Sequence, residues 1–181
     1  MRTDYKGYDA KRKVVKNGSY AYSKSSESAK LFIFLSDASS EAEWSLEQYK
    51  EKNEFLFFIS TNHQSDAVSH YEGNDSRWKN LIFNIHSHPG VGFEGTKGAS
   101  GYGSALAEGD YLYMQNLYNK WRYNNSNNLG YFPYHYVYHR KSKELFQYTR
   151  FVSSIPLGVV KNYDINKNFA KSKPSNYGYK R

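Results

Sequence analysis

The residues best suited to chemistry stand together in the string His86-Ser87-His88-Pro89. Two histidines separated by one residue on a β-strand point to the same face, because side chains alternate along a strand. Proline cannot continue the hydrogen-bond ladder of a strand, so Pro89 indicates where this strand ends. Both imidazoles can therefore converge on one point, as two ligands of a zinc ion must. The competing interpretation is two histidines that happen to flank a serine.

A third ligand is available in Asp110, twenty-two positions after His88. It follows the glycine-rich segment 89–109 and opens a segment with helical spacing, so it can equally be a plain N-cap. Three protein ligands leave the fourth zinc position for water, which is the arrangement of catalytic zinc sites. Bound zinc lowers the pKa of that water towards ~7. The spacing thus favours His86, His88 and Asp110 as metal ligands.

A hydrolase also needs a proton shuttle close to the attacking water, and Glu43 is the candidate. It lies in AEWSL (42–46), a short segment that we predict to be a strand. Its neighbours Ala42 and Trp44 point to the opposite face, and alternation alone does not indicate which face is buried. A solvated glutamate on an exposed strand face is the competing interpretation.

The rest of the chain must supply the elements that position these side chains. A helix is expected from Asp110 to the segment NNSNNLG (124–130), which interrupts it. One mixed α/β domain fits this order of elements, with residues 1–30 as an irregular basic lead-in, 31–155 as the folded domain and 156–181 as a basic C-terminal tail. Strands are predicted at Ser19–Tyr22, 31–36, 42–46, 54–60, 80–87, 134–139 and 144–149, the last two joined as a hairpin.

Composition narrows the classes of function. A chain of 181 residues suits one domain, and 19 tyrosines among 18% aromatics argue against wholesale disorder. The absence of cysteine excludes disulfides, thiolate ligands and a cysteine nucleophile. A net charge of +8 would attract nucleic acid, an anionic membrane or an acidic protein, but basic tails are usually solvated and nonspecific, so nucleic acid is possible and not favoured. No apolar run approaches the ~20 residues of a membrane span, and the N-terminus lacks the apolar stretch of a Sec signal peptide.

These residues together resemble the motif of the JAMM/JAB (MPN-type) metalloproteases, a strand glutamate followed by His-x-His-Pro and then an aspartate near a helix start. More closely, EAEWSL, ISTNHQ and NIHSHPG resemble the JAB-like toxin domains of bacterial polymorphic toxins, including those of Bacteroidetes. The resemblance spans roughly residues 31–122. It implies an α/β (α+β) fold, a mixed sheet flanked by helices and similar to that of cytidine deaminases.

The resemblance also implies roles for single residues. His86 and His88 match the two imidazole ligands of the zinc ion and Asp110 matches the carboxylate ligand. Glu43 matches the acid/base that activates water and protonates the leaving amine.

One position departs from the family motif. The serine that stabilises the oxyanion in the family is Ala107 here. The substitutes within reach along the chain are Ser104 and Ser100, and Glu108 could compete with Asp110 as a ligand.

The function implied is that of a zinc metallopeptidase or isopeptidase toxin, exported by a route other than Sec and delivered into a rival bacterial cell. Its expected partners are a protein or peptide substrate and a small cognate immunity protein. A metal-dependent nuclease is the first alternative, but the sequence offers no second carboxylate cluster for a two-metal site. A domain that keeps the fold without catalysis is the second alternative, and Ala107 is the residue in its favour.

Overall fold

The structure, a computed structural model, describes the side chains or backbone of most of the chain. The described residues are 2–8 and 14–23, for the backbone alone, and 27–39, 41–61, 76–88, 97–103, 108–123 and 131–172. The described strands are β1 (Arg2–Tyr8), β2 (Val14–Ser23), β3 (Ser45–Glu51), β4 (Glu54–Thr61), β5 (Leu81–His88), β6 (Tyr134–His139), β7 (Glu144–Tyr148) and β8 (Ile155–Val159). The described helices are α1 (Ser28–Ala38), α2 (Gly109–Tyr123), α3 (Asn166–Phe169) and a 3-10 turn at Ser76–Asn80.

The described strands form one mixed sheet in the order β1-β2-β4-β3-β5-β6-β7-β8. Strands β5 and β6 are parallel, and every other neighbouring pair is antiparallel. Parallel neighbours need a crossover connection, and α2 lies within the one that joins β5 to β6. The expected α+β fold with a mixed sheet and flanking helices is confirmed.

Helices cover the sheet on both faces, so the molecule has two apolar layers. Phe32 and Ile33 of α1 pack with Leu46 and Ile85 on one face. Met114, Leu117 and Trp121 of α2 pack on the other face. His86 and His88 alternate with Ile85 along β5, so both imidazoles lie on the α2 side of the sheet.

The segment 31–36 forms part of helix α1, so the prediction of a buried strand there is wrong. The buried residues of this helix are Ser28, Ala29, Phe32, Ile33 and Ser36, which follow helical spacing. Leu31 and Phe34 point outward, with 43% and 55% of their surfaces exposed. Because apolar residues occupy the outward positions too, the helical period is hidden in the sequence.

Of the other expected elements, the strand expected at 42–46 is shifted along the chain. Strand β3 begins at Ser45, so AEWSL is mostly the approach to a strand and not the strand itself. Strand β8 and helix α3 lie where the sequence shows no pattern, and β8 pairs with β7. Among the described residues, every helix is too short or too polar to span a bilayer. The elements found close to their predicted positions are those at 19–22, 54–60, 80–87, 110–123, 134–139 and 144–149.

Candidate metal site

Strand β5 and helix α2 bring His86, His88 and Asp110 into one cluster. The Nε2 atoms of the two histidines lie 3.1 Å apart. Asp110 Oδ1 lies 3.0 Å from the Nε2 of His86, and Asp110 Oδ2 lies 3.5 Å from the Nε2 of His88. Both imidazoles are 2% exposed, and the Asp110 side chain is 18% exposed, so the cluster is buried on its histidine side.

The distances between the two imidazole nitrogens and from each nitrogen to its nearer carboxylate oxygen of Asp110 are close to the ligand–ligand distances around a bound metal ion. Ligands bound tetrahedrally at the zinc distances for nitrogen and oxygen lie about 3.3 Å apart. The separations in the cluster run from 3.0 to 3.5 Å. The residues therefore fit a single metal ion with two imidazole ligands and one carboxylate ligand.

Glu43 lies beside the cluster, in the segment that leads into β3. The Trp44 backbone N–H donates to the Ser87 hydroxyl over 2.9 Å, and the Ser87 N–H donates to the Trp44 carbonyl over 2.8 Å. The Thr61 hydroxyl holds the carbonyl of Glu43 over 2.6 Å. These bonds fix the chain on both sides of the Glu43 side chain, whose Oε1 lies 4.0 Å from His88 Nε2.

The environment of Glu43 decides between the two interpretations of this residue. It is 6% exposed, so a solvated strand glutamate is excluded. Its carboxylate lies beside His88, and its role as a proton shuttle stays a prediction. Ser87 and Thr61 were not singled out from the sequence, because their role depends on strands that are distant along the chain.

Asp110 is held by a turn of the preceding loop. Its Oδ2 accepts hydrogen bonds from the Ser100 N–H over 2.7 Å and from the Ser100 hydroxyl over 2.9 Å. The Ser100 hydroxyl also accepts the Asp110 N–H over 3.1 Å. Asp110 is the second residue of α2, so its carboxylate is not an N-cap but is oriented by Ser100 towards the histidines.

The histidines of the cluster favour the ionised form of the Asp110 carboxylate. Burial raises the pKa of Asp110, but the His86 charge and the hydrogen bonds and charge of both imidazoles outweigh burial and hold this pKa well below 3.8. The carboxylate is therefore ionised at neutral pH, as a metal ligand must be.

Tyr148 of β7 brings a hydroxyl into the same interior. Its ring lies edge-on to the His86 ring with the centroids 6.1 Å apart. Burial first, and then the negative charges of Asp110 and Glu43, raise the pKa of Tyr148 well above 10. No local pattern could have identified it, because its proximity follows from the sheet order β5-β6-β7.

The remaining residues expected from the sequence are not part of the described cluster. Ser104 and Ala107 lie outside the described residues. Glu108 is exposed and takes no part in the cluster.

We expect Gly101→Ala to weaken metal binding through the loop that orients Asp110. Gly101 has φ +78°, and a Cβ there would lie 2.0 Å from the Glu108 carbonyl oxygen, so the turn that carries Ser100 must open. Losing a group that orients a ligand typically costs about tenfold to a hundredfold in metal affinity. The measurement is the zinc dissociation constant from competition with a chelator.

Gly103→Ala is the matched control for this substitution. Gly103 has φ +80°, but its Cβ would meet nothing within 4 Å among the described atoms. The control shares the backbone strain and lacks the collision. Equal zinc affinities of the two variants would show that the Gly101 turn does not position Asp110.

A strand-end pair of histidines, a helix-borne aspartate and a mixed sheet between helices are the features of a JAB-like fold. The family model of JAB-like toxin 1 matches residues 20–115, just over half of the chain. The chain belongs to this family of toxin domains. No curated protein and no solved structure matches the chain significantly.

Proposed function

We propose that this toxin domain is a zinc-dependent hydrolase that cuts a peptide or isopeptide bond. The observation that carries the proposal is the cluster of His86, His88 and Asp110, in which the two Nε2 atoms lie 3.1 Å apart and each has an Asp110 carboxylate oxygen within 3.5 Å. Zinc suits this ligand set, and three protein ligands leave one position for water. When bound, zinc supplies a hydroxide at neutral pH by lowering the pKa of water towards ~7.

The chain's own residues complete the reaction. Glu43 accepts the proton of the attacking water while the water oxygen bonds to the carbonyl carbon and the π electrons move to the carbonyl oxygen. Glu43 then returns the proton to the leaving amine as the carbon–nitrogen bond breaks. A buried carboxylate whose Oε1 lies 4.0 Å from a ligand nitrogen is close enough to serve both steps.

The small number of carboxylates at the site favours a peptide bond over a phosphodiester bond as the bond that is cut. Two-metal nucleases need bridging ligands for two ions about 3.5–4 Å apart. Among the described residues, the metal-capable groups form one cluster of three ligands and no second cluster. The resemblance to JAB-type proteases supports the same choice.

The biological setting follows from the toxin family. We propose that the domain is delivered into a rival bacterial cell and that the producing cell makes an immunity protein against it. The net charge of +8 makes an acidic immunity protein the natural complement, since opposite charges speed association.

The direct test is cleavage in an extract of bacterial cytoplasm. The zinc-loaded protein is incubated with the extract, and new protein N-termini are labelled and identified by mass spectrometry. Asp110→Asn is the inactive reference. New N-termini with the wild type alone would support the proposal. If instead plasmid DNA or total RNA is cut in parallel samples and no peptide bond is cut, the nuclease hypothesis replaces it.

A further inference from the structure

The proposed hydrolysis places negative charge on the carbonyl oxygen, and this oxyanion needs a hydrogen-bond donor. The position expected to supply one carries Ala107, which has no donor in its side chain. The Ser100 hydroxyl donates to Asp110 and accepts the Asp110 N–H, so it is already engaged. Among the described residues, a donor would therefore have to come from elsewhere in the fold.

Tyr148 carries a buried hydroxyl that is not satisfied by the described residues. The residue is 1% exposed. Within the described part of the chain, the Tyr148 hydroxyl has no hydrogen-bond partner. A buried hydroxyl that lacks a partner costs stability, so a position that keeps one calls for an explanation.

Two ring contacts place the Tyr148 side chain beside the metal cluster. The Tyr148 ring lies 5.4 Å from the His135 ring and 6.1 Å from the His86 ring, so the side chain runs from β7 across β6 towards β5. The negative charges of Asp110 and Glu43 contribute to the raised pKa of Tyr148, in agreement with this position. Tyrosine keeps its proton at neutral pH, so it can donate.

The loop 97–103 is hydrogen-bonded to the chain that follows Tyr148. The Tyr102 hydroxyl donates to the Thr149 carbonyl, next to Tyr148 in sequence. The Ala99 N–H donates to the Ser153 carbonyl over 2.8 Å. The loop that orients Asp110 through Ser100 is therefore also fastened to the chain that follows Tyr148, which fixes the two residues relative to each other.

We propose that the Tyr148 hydroxyl is a catalytic donor that binds the oxyanion formed from the substrate carbonyl, in place of the absent motif serine. This proposal rests on the proposed hydrolytic function. It adds a residue from β7 to a site otherwise assembled from the β3 approach, β5 and α2.

The test removes single hydroxyls and measures binding of acetohydroxamate, a small oxyanion that binds zinc. Tyr148→Phe deletes the proposed donor. Tyr138→Phe is the matched control, since Tyr138 is also 1% exposed and its hydroxyl donates to Asp37 over 2.9 Å on the α1 side of the sheet. Each zinc-loaded protein is titrated with acetohydroxamate in a calorimeter, and the metal-free proteins are compared by thermal unfolding.

We expect Tyr148→Phe to retain zinc and to bind acetohydroxamate about tenfold to a hundredfold more weakly, the usual loss of a hydrogen bond to a charged group. Its melting temperature should not fall, because the deleted hydroxyl had no partner to lose. Tyr138→Phe should show the reverse pattern, with a lower melting temperature and the affinity of the wild type.

Three results would separate the possible failures. Equal affinities of the wild type and Tyr148→Phe would overturn the role of Tyr148. A lower melting temperature of Tyr148→Phe with a parallel loss of affinity would assign the residue a structural role. A wild type that binds zinc and acetohydroxamate but cuts no peptide bond in the extract would refute the proposed function, while the measured affinities would still show whether Tyr148 donates to a bound oxyanion.

Discussion

Replacing His86 and His88 together by alanine should reduce bound zinc from about one ion per chain to a trace. The two imidazoles are two of the three proposed ligands, and Asp110 alone would not compete with water for the ion. The measurement is elemental analysis after zinc loading and removal of free metal by gel filtration. Circular dichroism verifies that the variant is folded.

His139→Ala is the matched control for the double substitution. His139 is a buried histidine on β6 that pairs in register with His88. Its Nδ1 lies 2.7 Å from the Ser142 hydroxyl and takes no part in the cluster. The control should keep its zinc. A wild type that holds no zinc after loading would refute the catalytic proposal at its first step.

Glu43→Gln should abolish toxicity while the protein keeps its zinc. Glutamine has nearly the same shape, so the hydrogen bonds at Trp44, Ser87 and Thr61 can persist. It cannot accept the proton of the attacking water, and a positioned acid/base contributes about a hundredfold to ten-thousandfold to the rate. The measurement is growth of bacteria that express each variant in the cytoplasm from a regulated promoter.

Glu41→Gln makes the same chemical change two positions earlier, on an exposed side chain. It should remain as toxic as the wild type. Zinc content measured on both purified variants separates loss of the proton shuttle from loss of the metal. Full toxicity of Glu43→Gln would exclude Glu43 from the reaction and favour a toxin that acts by binding.

Local sequence patterns predicted the part of the site that lies within one element. The spacing of His86 and His88 fixed their common face, and β5 ends where Pro89 predicts. The start of α2 was located from Asp110 within one residue. In each case the deciding physical factor, side-chain alternation or helix initiation, acts over a few neighbouring residues.

Features that depend on distant segments were beyond the sequence patterns. Helix α1 was missed because Leu31 and Phe34 are apolar yet exposed. The position of Glu43 depends on a distant segment. Ser87 on β5 accepts a hydrogen bond from the backbone of Trp44, the residue next to Glu43. Tyr148 reaches the site only through the order of β5, β6 and β7, which no run of neighbouring residues records.

The ligand set has a consequence for the resilience of the molecule. The chain has no cysteine and so no disulfide. An ion shared by His88 on β5 and Asp110 on α2 would tie the two ends of segment 89–109 together in the folded chain, where the site is formed. Metal binding would then add its own free energy to folding. A chelator would act on this toxin twice, as an inhibitor and as a denaturant.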